Sequence, residues 1–446
     1  MSLDFFADPL LHPQAAQQHR VVLVTNSYDR NIDGVALTLN RLVAHLTRRG
    51  HEVLVVVPSA GNRPPALRAA GSRLVRVPSW SFPIWSEYRL TWGLGREAQR
   101  RLEAFDPTVV HIAIQDAMGH AAQRWALRRQ IPVVCSHHTR FERYLSYYRL
   151  QAFTPLYWFG MRRFHSRCSS TLPPSASLGA VLTQHGLPRV GVWPRGVDRE
   201  LYRPTARSEA WRARVNSSDT AGAGGAGSAP IILLVARLRW EKGLAAFASV
   251  VQLLRARNVA IRVAIVGDGP ARDEMRQMLP PSSAFFGTLT GTALAEAYAS
   301  SDIFLYPSTT EGWGATCLEA QAAGLPVVAT RSSGIVEVIE DGVGGLLLPP
   351  HNITALADAV EGLVTDATRR GNMGRAATAH AANFDWSRSG DRMLCEYVRH
   401  AGKGDEPRDL DSLGRPPPTT EDTLSAAAGT YAPYAPCPPA AYLAEK

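Results

Sequence analysis

Two stretches of the chain repeat one pattern of apolar and polar positions. In each, a short unbroken apolar run is followed by a polar loop, an amphipathic helix and a second apolar run. The first stretch begins at Val21–Val24 and the second at Ile231–Val235. The apolar stripes of the two helices are Leu39, Leu42, Val43 and Leu46, and Leu244, Phe247, Val251 and Leu254. Such a pattern predicts parallel sheets covered by helices on both faces, and its recurrence predicts an α/β protein with two doubly wound domains.

Further apolar runs predict more strands in both halves. They are Val75–Val77, Val109–Ile112, Val133–Cys135, Thr171–Leu172, Val190–Trp193, Ala284–Phe286, Ile303–Tyr306, Val327–Ala329 and Gly345–Leu348. We therefore predict a domain organisation of five parts. These are an extension over 1–19, a first Rossmann-like domain over 20–203, a second over 204–384, a helix crossing back to the first domain over 385–402, and a disordered tail over 403–446. Residues 214–230 are rich in glycine and alanine, and this composition predicts a flexible insertion.

Composition narrows the choice of partners and compartment. The net charge of +9 suits anionic partners, but the basic residues form no long run, so we expect no nucleic acid. The five cysteines are scattered without a CxxC pair, which argues against both a disulfide framework and a zinc site. The first residues lack the pattern of a signal peptide, and no apolar run is long enough to span a membrane. A cytoplasmic protein is expected.

Lysine is almost absent from this chain, which makes one lysine informative. Only three of the 48 basic residues are lysines, and Lys242 alone lies outside the predicted tail, in the loop after Ile231–Val235. A compact ammonium at this place suggests a point charge for a diphosphate, with Arg237 on the other side and a helix N-terminus behind it. A solvated basic loop would also account for these residues.

Two glutamates eight residues apart follow the predicted strand Ile303–Tyr306. Glu311 falls in a loop and Glu319 on the next helix, so both carboxylates can face one cleft at different depths. Gly312 and Gly314 would let the backbone approach a ligand closely. Exposed structural acids remain the simpler explanation of each glutamate taken alone. Weaker signals of the same kind are the turns Gly267-Asp268-Gly269-Pro270 and Gly287-Thr288-Leu289 at the ends of neighbouring strands.

The first half carries its own candidates at strand ends. His138 follows Val133–Cys135, where a neutral imidazole could hydrogen-bond a sugar or an acceptor hydroxyl, although a lone histidine is more often structural. Gly34 stands at a helix start and could approach a phosphate or an acceptor. Residues 137–167 are basic and aromatic, which fits either a helix on an anionic bilayer or a solvated helix face.

The order of these motifs resembles that of the retaining glycosyltransferases of family 4. The shared features are Arg237-x4-Lys242, the Gly-Asp-Gly-Pro turn, Phe286-Gly-Thr-Leu, Glu311-x7-Glu319 and the Gly-Leu-Pro-Val-Val-Ala-Thr that follows. The resemblance covers roughly residues 20–400 and implies the GT-B architecture, two Rossmann-like domains facing across a cleft. Val192–Asp198 is similar to the hinge motif of one branch, which holds GDP-mannose-dependent α-mannosyltransferases and sulfoquinovosyltransferases.

The resemblance implies an activity and a set of site residues. The expected reaction moves a hexose from a nucleotide diphosphate sugar, with GDP-mannose favoured, to a lipid or glycan hydroxyl, without a metal or other cofactor. The implied catalytic residues are His138, Glu311, Arg237 and Lys242. The implied donor-binding residues are Gly34, Arg237, Lys242, Gly267, Asp268, Gly287, Thr288, Leu289, Glu311, Gly312, Trp313, Gly314, Ala315 and Glu319. The branch usually has Glu-Thr-Phe-Gly where this chain has Glu-Gly-Trp-Gly, which leaves the sugar open.

Three other functions compete with this one. Transfer from UDP-sulfoquinovose or UDP-glucose to diacylglycerol is an alternative within the same enzyme class. A protein that binds a sugar nucleotide without catalysis is an alternative outside it. A dinucleotide-dependent oxidoreductase is disfavoured, because Thr25–Val35 contains one glycine where a G-x-G-x-x-G loop would be required.

Overall fold

The computed structural model describes residues 18–29, 34–59, 73–81, 89–138, 151–217, 229–332 and 334–401. All of them belong to one compact unit that ends at Gly404. The predicted tail over 403–446, residues 1–17 of the predicted extension and residues 218–228 of the predicted insertion lie outside the described residues. A helix ends at Asn216, so the first residues assigned to the insertion are helical instead.

The first half of the chain builds a six-stranded parallel sheet in the order β3-β2-β1-β6-β7-β8. Its strands are β1 (Arg20–Val24), β2 (Glu52–Pro58), β3 (Arg73–Val77), β6 (Val109–Ile112), β7 (Val133–Ser136) and β8 (Ser170–Leu172). A separate antiparallel pair is formed by β4 (Ser79–Ser81) and β5 (Arg89–Thr91). The helices are α1 (Gly34–Arg48), α2 (Gly95–Phe105), α3 (Ala117–Arg128), α4 (Thr154–His165) and α5 (Ala176–Gln184).

The second half repeats this arrangement in the order β11-β10-β9-β12-β13-β14, again all parallel. Its strands are β9 (Ile231–Val235), β10 (Arg262–Val266), β11 (Ala284–Phe285), β12 (Ile303–Tyr306), β13 (Val327–Thr330) and β14 (Gly345–Leu348). Its helices are α6 (Glu209–Asn216), α7 (Leu244–Ala256), α8 (Arg272–Met278), α9 (Gly291–Ala299), α10 (Ala315–Ala322), α11 (Ile335–Val338), α12 (Ile353–Thr365) and α13 (Ala367–Ala381). The last helix is α14 (Trp386–Ala401).

The prediction of two doubly wound parallel sheets is confirmed. Every residue of β9 is buried, as expected for a strand covered on both faces, and its bounds are those the apolar run predicts. One predicted strand is wrong. Val190–Trp193 makes only a single bridge, between Val190 and Thr171, although the main-chain N–H groups of Gly191 and Trp193 donate to Thr171 O and Pro173 O. An apolar run alone does not reveal whether a neighbouring strand continues beside it.

The strand order creates one crevice in each sheet. In the first sheet β1 has β2 on one side and β6 on the other, and in the second sheet β9 lies between β10 and β12. The chain connections leave such a central strand in opposite directions, which opens a crevice for a ligand at the carboxyl ends of β9 and β12. The residues that follow these two strands therefore define the candidate site.

Two sets of contacts join the halves. Helix α14 returns from the second half to lie against α1, where Asp391 Oδ1 is 2.9 Å from His45 Nε2. The carboxylate of Glu337, next to the second sheet, accepts hydrogen bonds from the main-chain N–H groups of Ala176 and Ser177 at the start of α5, at 2.8 and 2.5 Å. A carboxylate in the first turn of a helix is favoured by the helix dipole, so this contact stabilises the juxtaposition of the halves.

Within the described residues, no helix is both long and apolar enough to cross a membrane.

Candidate active site

The centre of the site is an ion pair between residues that lie far apart in the sequence. Lys242 Nζ lies 2.7 Å from Glu311 Oε1. Lys242 ends a 3-10 turn after β9, and Glu311 lies in the loop after β12. The two loops meet because β9 and β12 are hydrogen-bonded neighbours in the sheet. Gly243 makes this approach possible, because its φ is +76° and a Cβ there would lie 2.4 Å from the carbonyl oxygen of Pro307.

Glu311 is held as a carboxylate with one oxygen fully engaged. Oε1 accepts hydrogen bonds from Tyr306 Oη at 2.8 Å and Ser308 Oγ at 3.0 Å, in addition to Lys242. Burial alone would raise the pKa of Glu311, but the Lys242 ammonium and the two hydroxyl donors outweigh burial and hold the pKa below its ordinary value. Among the described residues none donates to Oε2, so that oxygen remains available to accept from a ligand hydroxyl.

Glu319 occupies the opposite electrostatic environment. It lies on α10, and its Oε2 accepts a hydrogen bond from Tyr298 Oη at 3.0 Å. Burial raises the pKa of Glu319 to about 7, against the opposing effects of the Tyr298 hydroxyl, the Arg41 guanidinium and the Tyr202 hydroxyl. Arg41 belongs to α1 in the first half, so Glu319 faces the junction between the halves. No cation pairs directly with Glu319 among the described residues, unlike Glu311.

The other loops of the donor side lie against one another at the same sheet edge. The main-chain N–H of Gly267 donates to Gly287 O at 2.7 Å, and Leu238 N donates to Asp268 O at 2.9 Å. A Cβ at Gly267 would lie 1.8 Å from the carbonyl oxygen of Ala236, so this glycine is required for packing, whether or not it touches a ligand. The loops after β9, β10 and β11 thus form one continuous surface.

Arg237 lies on that surface and is exposed to solvent. Within the described part of the chain, no hydrogen bond or ion pair joins it to Glu311 or Glu319. Thr288 is exposed and Leu289 half-buried just beyond Gly287, at the end of β11. Asp268 is exposed, and its carboxylate lies 3.5 Å from Arg272. The structure therefore brings these predicted donor residues to one edge, where the Arg237 side chain is exposed.

The loop between the two glutamates serves packing as well as access. Trp313 is buried against Phe384, with ring centroids 5.9 Å apart, so only its main chain is left for a ligand. Gly314 has a φ of +81° immediately before α10, and Ala315 begins that helix. Gly312 approaches the first half of the chain, because a Cβ built on it would lie 3.7 Å from the carbonyl oxygen of His138. The predicted catalytic histidine and the loop of Glu311 therefore face each other.

His138 is held by a chain of hydrogen bonds through the first half. Its Nδ1 lies 3.0 Å from Arg195 Nη2, and its Nε2 lies 2.8 Å from Ser136 Oγ. Ser136 Oγ is 2.7 Å from His111 Nε2, and His111 Nδ1 is 2.7 Å from Tyr397 Oη. Tyr397 belongs to the returning helix α14. The position of that helix is thereby linked to the histidine.

The chain of contacts determines which nitrogens carry protons. Arg195 can only donate, so His138 Nδ1 accepts and Nε2 carries the proton. Ser136 Oγ then accepts from His138 and donates to His111 Nε2. Burial lowers the pKa of His138 well below its ordinary value, and Arg195 lowers it further, so the ring is neutral. Both imidazole nitrogens of His138 are thus engaged by protein groups. Gly34 borders this assembly, because a Cβ on it would lie 3.5 Å from Arg195 Nη1.

Sequence reasoning missed most of the groups that orient the predicted residues. Tyr306 could have been found, because it is the last residue of a strand that ends at the site. Tyr298, Tyr202 and Tyr397 had no local signal, since each meets its partner only through tertiary packing. The pairing of His111 with Tyr397 spans 286 residues of sequence, which no spacing rule captures.

Comparison with known proteins gives the family. Residues 32–201 match the family described as Glycosyltransferase Family 4, and residues 229–366 match Glycosyl transferases group 1. The chain is 36% identical over 388 residues to a GDP-mannose-dependent alpha-mannosyltransferase of Mycolicibacterium smegmatis, covering 86% of this chain and 98% of that protein. It is 29% identical over 387 residues to the sulfoquinovosyl transferase SQD2 of Arabidopsis thaliana, covering 85% of this chain and 73% of that protein.

Solved structures show the same architecture. Sucrose-phosphate synthase from Thermosynechococcus elongatus is similar with a TM-score of 0.68 at 18% identity, covering 86% of this chain and 99% of that one. The Anabaena protein HepE in complex with UDP and glucose is similar with a TM-score of 0.63 at 17% identity, covering 86% and 100%. The chain therefore belongs to glycosyltransferase family 4 and has the GT-B fold. It is a glycosyltransferase.

The raised pKa of Glu319 predicts a pH-dependent affinity for the nucleotide sugar. If the ionised carboxylate accepts from ligand hydroxyls, affinity should be constant above about pH 7 and fall by up to about tenfold per unit as pH drops below it. Calorimetric titration with GDP-mannose between pH 5.5 and 8.5 measures the affinity on both sides of the Glu319 pKa of about 7. Glu319→Gln should bind weakly with no such pH dependence. Glu209→Gln, at an exposed acid, is the control and should follow the parent. A parent curve without an inflection would contradict this role.

Proposed function

We propose that this glycosyltransferase is a retaining, metal-independent hexosyltransferase that uses GDP-mannose and transfers mannose to a hydroxyl of a lipid or glycan. The observation that carries the proposal is the Lys242–Glu311 pair at the crevice of the second sheet, with His138 opposite it. The donor assignment is supported by the mycolicibacterial relative, whose name specifies GDP-mannose and which aligns over nearly its whole length.

The proposed role of Lys242 and Arg237 is to stabilise the departing diphosphate. Negative charge builds on the phosphate as the bond to the anomeric carbon breaks, and fixed cations in a water-poor site lower the energy of that state. Lys242 has three N–H donors, so it can keep its bond to Glu311 and still donate to a phosphate oxygen. Arg237 is exposed at the same edge and can approach from the other side. Two cations and the N-terminus of α7 would make a metal unnecessary.

The proposed roles of the acids follow from their environments. Glu311, held ionised with Oε2 available, would accept from a hydroxyl of the donor sugar. Glu319 would accept from the ribose hydroxyls, which would stabilise the ionised carboxylate that burial disfavours.

The proposed retention of configuration follows from what faces the sugar. Glu311 Oε1 is already bonded to three donors, and Oε2 would be bonded to a sugar hydroxyl, so neither oxygen would attack the anomeric carbon. His138 is neutral and has both ring nitrogens engaged, so it would bind substrate through its main chain or orient Arg195, and would not act as a base. The acceptor hydroxyl would then enter on the face from which the diphosphate leaves and lose its proton to the leaving phosphate.

A second donor class is favoured by two observations. One relative is named as a sulfoquinovosyl transferase, and one structural neighbour was crystallised with UDP and glucose. Transfer from UDP-sulfoquinovose or UDP-glucose to diacylglycerol is therefore the alternative substrate pair. A protein that binds the sugar nucleotide but transfers nothing is the alternative of another kind.

A donor screen tests the proposal. Melting temperatures are measured with GDP-mannose, UDP-glucose, UDP-GlcNAc and UDP-sulfoquinovose, because a ligand that binds only the folded state raises the melting temperature. GDP-mannose should give the largest increase. The same donors are then assayed for release of nucleoside diphosphate, and the anomer of any product is read by NMR.

Variants distinguish transfer from binding alone. Glu311→Gln should lower turnover of the preferred donor on the order of 100- to 1000-fold, as for loss of one preorganised electrostatic group. Glu361→Gln, at an acid paired with Arg257 on the outer surface, should leave turnover unchanged. A donor that raises the melting temperature but is never cleaved would favour the non-catalytic alternative. Larger stabilisation by a UDP-sugar would replace GDP-mannose as the donor.

We further propose that the outer face of α4 contacts an anionic membrane, as expected from the stretch over 137–167, of which 139–150 lie outside the described residues. Phe153, Leu156 and Phe159 are exposed by 55%, 65% and 58%, although large apolar side chains are usually buried. These three side chains are spaced three residues apart, as on one side of a helix. Arg162 and Arg163, which follow them in the chain, are also exposed. Apolar side chains beside basic ones suit the interface of an anionic bilayer.

Vesicle cosedimentation tests the membrane contact. The protein should sediment with vesicles of phosphatidylcholine and phosphatidylglycerol, and less at high salt because the charges are screened. The double substitution Leu156→Gln and Phe159→Gln should abolish sedimentation. Val398→Gln, at an apolar residue 45% exposed on α14, is the matched control and should bind like the parent. Equal binding by the double variant, or no binding by the parent, would refute the proposal.

A further inference from the structure

Two of the cysteines that look scattered in the sequence meet inside the first half of the chain. Cys135 lies on β7, and Cys168 lies in the turn between α4 and β8. His165, the last residue of α4, completes the group. One potential ligand atom from each residue lies within 4.8 Å of the other two, and all three side chains are buried. We propose that this cluster, the buried Cys135–His165–Cys168 site, binds one zinc ion.

The surroundings of the sulfur atoms support a metal–thiolate site. Gln115 Nε2 donates to Cys135 Sγ at 3.1 Å, and Gln123 Nε2 donates to Cys168 Sγ at 3.2 Å. An amide N–H directed at each sulfur stabilises negative charge there, which an ordinary buried thiol does not need. Outer groups that donate to ligand atoms are typical of metal sites, where they orient the ligands and tune the bound ion.

The histidine is oriented in the same manner. Its Nδ1 lies 2.8 Å from Thr171 Oγ1, whereas its buried Nε2 has no hydrogen-bond partner among the described residues. When Nδ1 carries the proton and donates to Thr171, Nε2 is unprotonated. Its lone pair can then bind an electron-pair acceptor such as a metal ion. A buried polar nitrogen without a partner is costly, and a metal ion would satisfy it.

The donor set and the burial favour zinc over other ions. Thiolate and imidazole are the ligands of protein zinc, and two thiolates neutralise a divalent ion, so the buried group carries no net charge. Binding would form two Zn–S bonds and release one proton from each thiol. The ring centroid of His137 lies 6.2 Å from that of His165, and His137 is not one of the three residues whose ligand atoms lie together.

The bound ion would act on the position of His138. Cys135 is followed directly by Ser136, whose hydroxyl is bonded to His138 Nε2. An ion that fixes Cys135 to the end of α4 would therefore hold the strand that carries this chain of hydrogen bonds. The inference does not depend on which sugar is transferred, because its readout is metal binding.

Cobalt provides the test, since Co²⁺ occupies zinc sites and absorbs in the near ultraviolet when thiolates bind it. The parent protein and every variant in this test carry Cys437→Ala, because Cys437 lies outside the described residues. The chain stripped of metal by a chelator should bind one Co²⁺ and develop the thiolate band, and added Zn²⁺ should remove the band. Cys168→Ala should lose the band, whereas Cys395→Ala, at a buried cysteine on α14, should keep it.

Two further measurements keep the test decisive. Thermal melts followed by circular dichroism establish whether each variant folds. If Cys168→Ala does not fold, the Co²⁺ absorption spectrum of the parent protein alone decides whether thiolates bind the metal. The chain expressed in zinc-supplemented medium should contain one zinc per molecule and melt at a higher temperature than after chelation. A parent without a thiolate band, a band that survives Cys168→Ala, or a Cys135–Cys168 disulfide in place of metal would each overturn the proposal.

Discussion

The site depends on how the charge of Glu311 is neutralised. Burial alone would raise the pKa of this carboxylate, but the ammonium of Lys242 and two hydroxyls hold the pKa below its ordinary value. The pair forms because β9 and β12 are neighbours in the second sheet. Fold and electrostatics are therefore linked, since neighbouring parallel strands bring the loops at their carboxyl ends to one edge of the sheet.

The same argument accounts for the preference for lysine in a chain that otherwise uses arginine. Under the proposed function the ammonium would contact one carboxylate oxygen and also donate to a phosphate. A planar guanidinium would engage both oxygens of Glu311 and withdraw Oε2 from the sugar. Among the described residues, no cation pairs directly with the second acid, Glu319, which accepts from Tyr298, and its pKa moves in the opposite direction. Two glutamates of one motif thus acquire different properties from their neighbours.

The fold was predictable because parallel strands covered on both faces leave unbroken apolar runs, as in β9. The order of the strands could not be read from the sequence without the family resemblance, because order is decided by packing over long distances. Polar groups that orient the site were less predictable still. Tyr298 and Tyr397 look like ordinary helix residues until the helices are assembled. The cluster around Cys135 was missed for the same reason, since its members come from separate elements.

The most direct test of the central claim is a double-mutant cycle on Lys242 and Glu311, with the free energy of donor binding as the measured quantity. The single variants Lys242→Met and Glu311→Gln and the double variant are titrated with the donor nucleotide sugar. If the two residues act as one unit, the loss in the double variant should be smaller than the sum of the single losses by roughly 1 kcal/mol or more. Losses that add within about 0.5 kcal/mol would show that the residues act independently and would contradict the account.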